Sequence, residues 1–323
     1  MNEQNKNSFF NTKLQDMPIG IVGTMLGAVS LSNIYTNVGL HHVQAILVNI
    51  SLLVVILALL KFILYPKKVF SEMNNTIIMS IYPTFTMLTM SIGAYYVKYN
   101  YTLGKTIWTI GLIINLIFVA FFLIKHVILG FKIENALPSW FVLLVGISVS
   151  CVTSKPMNEP FIVKYIFFFV VISFLSYLPV VIYRLFTVSV PDAHYHAIAI
   201  FAAPGSLCTV SYITLYENAN IYITLFFFTL ALIATLYVYI NFPRFFSLKF
   251  TPMYAALTFP LAISCVASFK VSDYLAKLGY STSSIIVKGI GEIELFIATA
   301  VIAFVMFKFL LFFFNIPVRK FTK

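Results

Sequence analysis

The residues that most often carry out chemistry in proteins are few in this chain and do not cluster. The sequence has 5 histidines, 3 cysteines and 10 acidic residues. Cys151, Cys208 and Cys265 stand apart, without the CxxC or Cys/His spacing of a zinc site. There is no HExxH motif and no set of Ser, His and Asp within an apolar segment. We therefore expect no metal, no other cofactor and no enzymatic activity.

Two small groups of titratable residues still call for an interpretation. His194 and His196 precede an apolar segment, and we expect them to be solvated loop residues, with proton sensing as the alternative. A long loop rich in Gly, Ser and Lys is expected between Val271 and Glu292, and Glu292 and Glu294 then open the last helix. We expect them to complement the positive end of that helix dipole, with a regulatory salt bridge to Lys288 as the alternative.

The remaining polar chemistry consists of hydroxyl groups, prolines and glycines inside ten apolar segments. The odd-numbered segments hold more than twice as many serines and threonines as the even-numbered ones, and six of the 13 glycines. Each odd segment also contains one of five prolines: Pro18, Pro83, Pro138, Pro204 and Pro260. The odd segments lie at 18–34, 77–97, 138–154, 197–216 and 253–270, and the even ones at 43–64, 106–128, 161–183, 221–240 and 293–314.

The composition places these segments in a lipid bilayer. Mean hydropathy is +0.97 and only 10% of the residues are charged, against about 25% in soluble domains. Each segment approaches the ~20 residues that cross a bilayer as a helix. We expect an all-α integral membrane protein in which residues 17–316 form one ten-helix domain between tails 1–16 and 317–323. Because the N-terminus lacks a signal-peptide pattern, the first helix should remain in the mature protein.

The charge distribution predicts orientation rather than nucleic-acid binding. The net charge is +11, but the basic residues lie between apolar segments and form no long run. Two thirds of the 21 lysines and arginines lie on the side that holds the N-terminus. The positive-inside rule then places both termini in the cytoplasm, with the protein in the cell membrane. Basic residues at this inner mouth would raise the local concentration of anions.

The spacing of the prolines indicates five helical hairpins of about 60 residues, which suggests a quasi-fivefold arrangement. Hydrocarbon cannot satisfy the backbone groups that Pro and Gly expose, so the odd helices should lie inside. Gly20, Gly23 and Gly27 permit close approach of a neighbouring helix. Two interpretations stay open at this point: a solid core of inner helices, or a ring of inner helices around a central pore.

Charged residues are nearly absent from the odd segments, where Lys270 is the one ionisable residue apart from tyrosines and cysteines. A pump or a carrier of multiply charged substrates usually has charged residues near the membrane midplane. A pore lined by hydroxyls and apolar side chains instead selects ions by how easily they lose water. This pattern favours small anions over cations.

Three stretches resemble the tellurite-resistance/dicarboxylate transporter (TDT) family, which includes TehA-like proteins and the plant guard-cell slow-type anion channels. These stretches are residues 17–27 (MPIGIVGTMLG), 197–207 (AIAIFAAPGSL) and 255–261 (AALTFPL). The Pro204-Gly205 pair departs from the family pattern and should loosen the seventh helix.

The resemblance implies odd helices around a central pore and a homotrimer with a separate pore in each subunit. It also implies that a phenylalanine of the ninth helix closes the pore, and the match of Thr258-Phe259-Pro260 assigns this role to Phe259. Ordinary interhelical packing is the alternative role for Phe259. Phe85, after Pro83, is a weaker candidate for a second constriction. The further candidates for pore-lining or kink positions are Pro18, Gly20, Gly23, Gly27, Pro83, Gly146, Pro204, Gly205, Thr258 and Pro260.

Two functions follow from these observations. The favoured one is a gated channel for small monovalent anions such as chloride or nitrate. The alternative is a secondary transporter of C4-dicarboxylates such as malate, or of sulfite or tellurite, and it could be proton-linked. In either case the expected partners are inorganic or organic anions, the lipid bilayer and further copies of the chain, without nucleic acid.

Overall fold

The computed structural model describes residues 11–314, and within this range the protein is helical without β-strands. Residues 11–15, which the sequence places in a tail, are helical, with Leu14 buried. The expected tail at 317–323 lies outside the described residues. The α-helices that follow are α1 Gly20–Asn37, α2 His41–Leu64, α3 Pro66–Glu72, α4 Thr76–Ile81, α5 Thr84–Tyr96, α6 Tyr101–Phe122, α7 Trp140–Leu144, α8 Val149–Val152, α9 Pro160–Thr187, α10 Ala202–Leu215, α11 Ile221–Ile240, α12 Phe242–Ser247, α13 Thr258–Lys277 and α14 Ser281–Phe313.

Eight helical stretches in the described part of the chain are long and apolar enough to cross a membrane. Five of them correspond to the even-numbered segments of the sequence, and three correspond to odd-numbered ones. The other two odd segments are the 18-residue α1 and the shorter stretch Trp140–Val152. The protein is thus a multi-pass helical membrane protein.

Burial divides these stretches into two alternating groups, as the composition predicts. In the most apolar 18 residues of each of the stretches Thr76–Tyr96, Asp192–Leu215 and Pro252–Lys277, between 67% and 83% of the residues are buried. In the five stretches that alternate with them, the buried share is only 28–33%. Most residues of α1 are buried as well. The Ser-, Thr-, Pro- and Gly-rich segments form the inside of the bundle, and the aliphatic and aromatic segments cover it.

Irregular backbone is concentrated in the inner segments. A turn at Tyr82 and Pro83 separates α4 from α5, and the 3₁₀-helix Gly146–Ser148 separates α7 from α8. Further 3₁₀-helices, Asp192–Phe201 and Pro252–Leu257, lead into α10 and α13. Non-helical backbone at membrane depth is tolerated where protein surrounds it or where it lines a cavity.

Three of the five prolines in the odd segments lie at the start of a regular helix rather than in its middle. Pro83 is the N-cap residue of α5, and Pro204 and Pro260 are the third residues of α10 and α13. A proline in the first turn removes no intrahelical hydrogen bond, because that N–H has no partner there in any case. These positions therefore differ from the kinks that the sequence suggests.

Similar short turns close the first and last hairpins. Gly39 links α1 to α2 with φ +83°, and Gly279 links α13 to α14 with φ +85°. In both turns the N–H of the residue after the glycine donates to a carbonyl five residues earlier, which is the Schellman pattern. Asn75, Asn100 and Asn220 cap the N-termini of α4, α6 and α11 with their side-chain oxygens.

The last hairpin corrects one prediction. The sequence indicates a long loop between residues 271 and 292, with Glu292 and Glu294 at the start of a helix. Instead α13 continues to Lys277, and α14 begins at Ser281 and runs for 33 residues. At Gly291 of this helix, the ring of Phe269 packs where a side chain would otherwise lie, so α13 and α14 approach closely. Glu294 is therefore near the middle of α14 and cannot complement its dipole.

Candidate functional site

A cavity of about 350 Å³ lies at the end of the bundle where α1 begins, and we call it the proximal cavity. All five inner segments line it, so it lies on the common axis of the bundle. Most of its wall is apolar. The inward-facing residues of these segments include Pro18, Gly20, Gly23, Ile81, Thr84, Met87, Phe141, Gly146, Ala203, Leu207, Ala255, Phe259 and Pro260.

A second cavity of about 230 Å³, the distal cavity, lies toward the other ends of the inner helices. Its walls come from α1, α5, α8, α13 and the start of α2, and they are more polar than those of the proximal cavity. The lining includes Ser30, Asn33, Gln44, Ser91, Lys98, Thr153, Phe259, Ile263 and Val266.

Among the described residues, Phe259 alone lines both cavities. Its side chain is only 7% exposed, and it is the second residue of α13, directly after the 3₁₀-helix Pro252–Leu257. An apolar ring at a narrow point excludes water and therefore raises the energy of an ion there. The residue that the resemblance singles out thus lies between two open spaces, of which the proximal one lies on the bundle axis and the distal one is lined partly by the outer helix α2.

Helix α1 holds the backbone around Phe259 by direct contact. The Thr258 hydroxyl donates to the carbonyls of Ala255, at 2.7 Å, and Gly23, at 3.3 Å. A Cβ atom built on Gly27 would lie 2.8 Å from the backbone nitrogen of Phe259. Gly27 is therefore a contact position behind the cavities, where the absence of a side chain lets α13 approach α1.

This contact gives a matched pair of substitutions. Gly27→Ala should destabilise the protein by about 1–3 kcal/mol, because the new methyl group meets backbone atoms that cannot move independently. Gly23→Ala should change stability by less than about 0.5 kcal/mol, since its Cβ atom finds its nearest neighbour, Thr84 Cγ2, at 3.6 Å. Thermal unfolding of the purified variants measures the difference. Equal unfolding temperatures would contradict the close approach at Gly27.

The charges at the proximal cavity differ from the expected basic mouth. Asp16, Glu72 and His194 line the cavity, whereas no lysine or arginine of the described chain does so. Both carboxylates form ion pairs with lysines that do not line the cavity. Lys61 Nζ lies 2.9 Å from Glu72 Oε1, and Lys68 Nζ lies 3.2 Å from Asp16 Oδ1. The basic residues therefore neutralise this mouth rather than make it strongly positive.

The first of these pairs is buried and tightly bonded. Lys61 is 4% exposed and donates to both Glu72 oxygens and to the Met17 carbonyl. The Tyr82 hydroxyl donates to Glu72 Oε2 at 2.5 Å. The group therefore joins α2 and α3 to the start of the α1 segment and to the break between α4 and α5.

A positive charge is present at the distal cavity. The Lys98 ammonium group lies 3.8 Å from the centre of the Tyr95 ring and 5.0 Å from that of Tyr99. The hydrogen bond from Tyr95, together with the nearby Lys98, lowers the pKa of Tyr99. Lys98 is exposed, so it can attract anions from the solution on that side.

The structure distributes the predicted site residues over three environments. Pro18, Gly20, Gly23, Gly146 and Pro260 line the proximal cavity, and Phe259 lines both cavities. Gly27 and Thr258 support Phe259 from behind.

The remaining predicted positions line neither of the two cavities: Pro83, Phe85, Pro204 and Gly205. The ring of Phe85 packs on that of Phe62 of α2, with centroids 5.0 Å apart, so it does not form a second constriction. A Cβ atom on Gly205 would lie 2.8 Å from the Ala231 nitrogen. Gly205 therefore serves the packing of α10 on α11 and does not loosen α10 at a cavity.

The sequence does not predict the positions of several residues that line the cavities or lie buried elsewhere in the bundle. Met87 and Ile263 line the cavities, but apolar residues on inner helices give no signal that separates lining from packing. His196 is 1% exposed and hydrogen-bonds the Phe245 carbonyl, so it is not a solvated loop residue. His194 does line the proximal cavity. Glu294 is 2% exposed and lies inside the bundle. The sequence does not predict this burial, because it indicates a helix start at Glu292 rather than at Ser281.

A comparison with protein families agrees with this architecture. The model of the family described as "Voltage-dependent anion channel" (SLAC1) matches residues 16–310, which include both cavities and all of the described transmembrane stretches except the last three residues of Ser281–Phe313. No curated protein sequence matches the chain. Because the family match extends over most of the chain and confirms the resemblance seen in the three sequence stretches, this protein belongs to the voltage-dependent anion channel (SLAC1) family, whose members are channels and transporters of anions.

Proposed function

We propose that the protein is a gated channel for small monovalent anions such as chloride and nitrate, and that Phe259 closes its pore. The single observation that carries this proposal is that Phe259 lines both the proximal and the distal cavity. An ion that moved from one cavity to the other would have to pass its ring. Apart from the compensated carboxylates and His194 at the proximal cavity and Lys98 at the distal one, the walls offer hydroxyls, amides and apolar groups rather than a strong binding site, which suits rapid passage.

The proposal includes the wider arrangement. Ten crossings arranged as five hairpins would result if α1 and Trp140–Val152 cross the membrane with the eight longer stretches. The excess of lysine and arginine near the proximal end supports a cytoplasmic location for both termini in the cell membrane. The lipid-facing outer helices leave room for association into a homotrimer with one pore in each subunit.

Anion preference is supported at the distal side by Lys98 and at the proximal side by the compensation of both carboxylates. Lys98 attracts anions, and the pairs with Lys61 and Lys68 prevent Asp16 and Glu72 from repelling them. Since the walls coordinate ions weakly, we expect nitrate, which loses water more easily than chloride, to carry the larger current.

A secondary carrier for malate, sulfite or tellurite is the second candidate. Two cavities separated by one side chain also occur in a carrier that alternates access between the two sides of the membrane. A carrier would bind its substrate and saturate, whereas an open channel would not.

The test is ion replacement in planar bilayers that contain purified protein. Under asymmetric potassium chloride, the current should reverse near the chloride equilibrium potential, should increase with nitrate and should decrease with malate. The measurement is repeated with Phe259→Ala if the wild-type currents are small. Reversal near the potassium potential would refute anion selectivity. Saturable malate uptake into liposomes without current would establish the carrier.

A further inference from the structure

Glu294 is a buried carboxyl group next to the helix that carries Phe259. It is the 14th residue of the 33-residue α14 and therefore lies far from both helix ends. Its two oxygens accept hydrogen bonds from two serines of α13, Ser264 at 2.7 Å and Ser268 at 2.5 Å. These serines follow Phe259 by five and nine residues on the same helix. The carboxyl group thus links α14 directly to α13.

Within residues 11–314, no cation compensates this carboxyl group. In the described part of the chain, no Lys, Arg or His nitrogen lies within 4.0 Å of Glu294, and the four ion pairs found there involve other residues. Its surroundings are hydroxyl groups: Ser264 is also bonded to Thr235 of α11, at 2.8 Å. A charged carboxylate in the interior of a membrane is costly and usually has a function.

Each neighbouring element presents few titratable groups to this site. Cys265 of α13 and Tyr239 of α11 are close enough to interact electrostatically with Glu294. The buried Tyr239 hydroxyl has no hydrogen-bond partner. Tyr35 of α1 bonds Thr299 instead, and Tyr254 of the 3₁₀-helix Pro252–Leu257 bonds the Phe245 and Leu248 carbonyls. Of these groups Glu294 alone is a carboxyl group, the type of side chain that binds a proton on acidification.

The packing limits which ligand can bind there. Glu294 lines neither the proximal nor the distal cavity, and its two serine partners also line neither. A metal ion or an organic ligand would need space that the contact between α13 and α14 does not provide. A proton needs no such space.

We propose that Glu294 is a proton-binding site whose loading loosens the attachment of α13, and with it Phe259, to α14. The unprotonated carboxylate accepts a hydrogen bond from each serine and holds α13 in the position seen here, with Phe259 between the cavities. Addition of a proton to one carboxylate oxygen removes the charge and one acceptor site, so both serine contacts weaken. The effect on current rests on the proposed function, whereas proton binding itself does not.

Current measured as a function of pH tests the proposal. Acidification should raise the wild-type anion current by about tenfold, since a hydrogen bond to a charged group exceeds one to a neutral group by about 1.4 kcal/mol. Glu294→Gln should conduct at a level independent of pH. Glu292→Gln is the matched control, because Glu292 is exposed on the same helix and its loss should leave the pH response intact. A pH response that persists in Glu294→Gln, or a current that falls on acidification, would overturn the proposal.

Infrared difference spectroscopy keeps the proposal testable when currents fail. Acidification of the purified wild-type protein should produce the C=O stretching band of a protonated carboxylic acid in a buried position. That band should be absent in Glu294→Gln and present in Glu292→Gln. If the band is present but Phe259→Ala carries no anion current, the proposed channel function fails and the proton site stands. If Phe259→Ala conducts and the band is missing, the proton site fails alone.

Discussion

Replacement of Phe259 with alanine should raise the anion current by about 10- to 100-fold, because the closed pore loses about 1.5–3 kcal/mol of apolar contact that the buried ring contributes. The alanine side chain would leave the two cavities connected, since Phe259 alone among the described residues lines both. The measurement is the current per reconstituted protein in planar bilayers under a chloride gradient.

Phe269→Ala is the matched control for this experiment. Phe269 lies on the same helix and packs against Gly291, and it lines neither cavity. Its loss should lower stability without raising the current. If Phe259→Ala elutes as folded protein and its current equals that of the wild type, Phe259 is a packing residue and not the gate.

Replacement of Lys61 with methionine should destabilise the protein by about 2–3 kcal/mol, because it leaves the carboxylate of Glu72 without its cation. The expected loss of stability is smaller than the loss for a fully buried, unpaired carboxylate, because the Glu72 side chain is 20% exposed to solvent. The uncompensated carboxylate faces the proximal cavity and repels anions. We therefore also expect a lower anion current when the substitution is combined with Phe259→Ala. Thermal unfolding and bilayer current measure the two effects.

Two further variants separate charge from packing. In Lys61→Met with Glu72→Gln both charges are absent, so most of the lost current should return. Lys68→Met removes the cation of an exposed pair, 41% and 61% exposed, and should change stability by less than about 1 kcal/mol. Equal losses of stability in Lys61→Met and Lys68→Met would show that burial of the first pair contributes nothing.

The division into inner and outer helices could be predicted from the sequence because lipid imposes it. Serine, threonine, proline and glycine are costly on a lipid-facing surface, so their alternation from segment to segment reports which helices are covered. Burial in the structure alternates in the same way. The assignment of Phe259 had a different origin: composition does not distinguish it from 33 other phenylalanines among the 34 in the chain, and the resemblance to a family identified it.

Other features could not be predicted, for reasons that are physical. Residues 281–291 are rich in Ser and Gly, which is typical of a loop, yet they form the first part of α14, where Gly291 packs against the ring of Phe269 on α13. The composition alone therefore puts Glu294 at a helix end. The error at Phe85 is of another kind: proximity to a proline indicates an inner helix, but the direction of the ring depends on the helix rotation, which a contact with Phe62 reveals.

The short turn between α1 and α2 has a consequence for the biogenesis of the protein. Helix α1 is not apolar enough to be counted among the spanning helices, whereas α2 has a mean hydropathy of 2.8. Only three residues, Val38, Gly39 and Leu40, separate them. Since the translocon selects segments by hydrophobicity, α1 should enter the bilayer together with α2 as one unit. The inner helix α1 would then insert into the membrane with the help of α2, the outer helix that separates it from lipid in the folded protein.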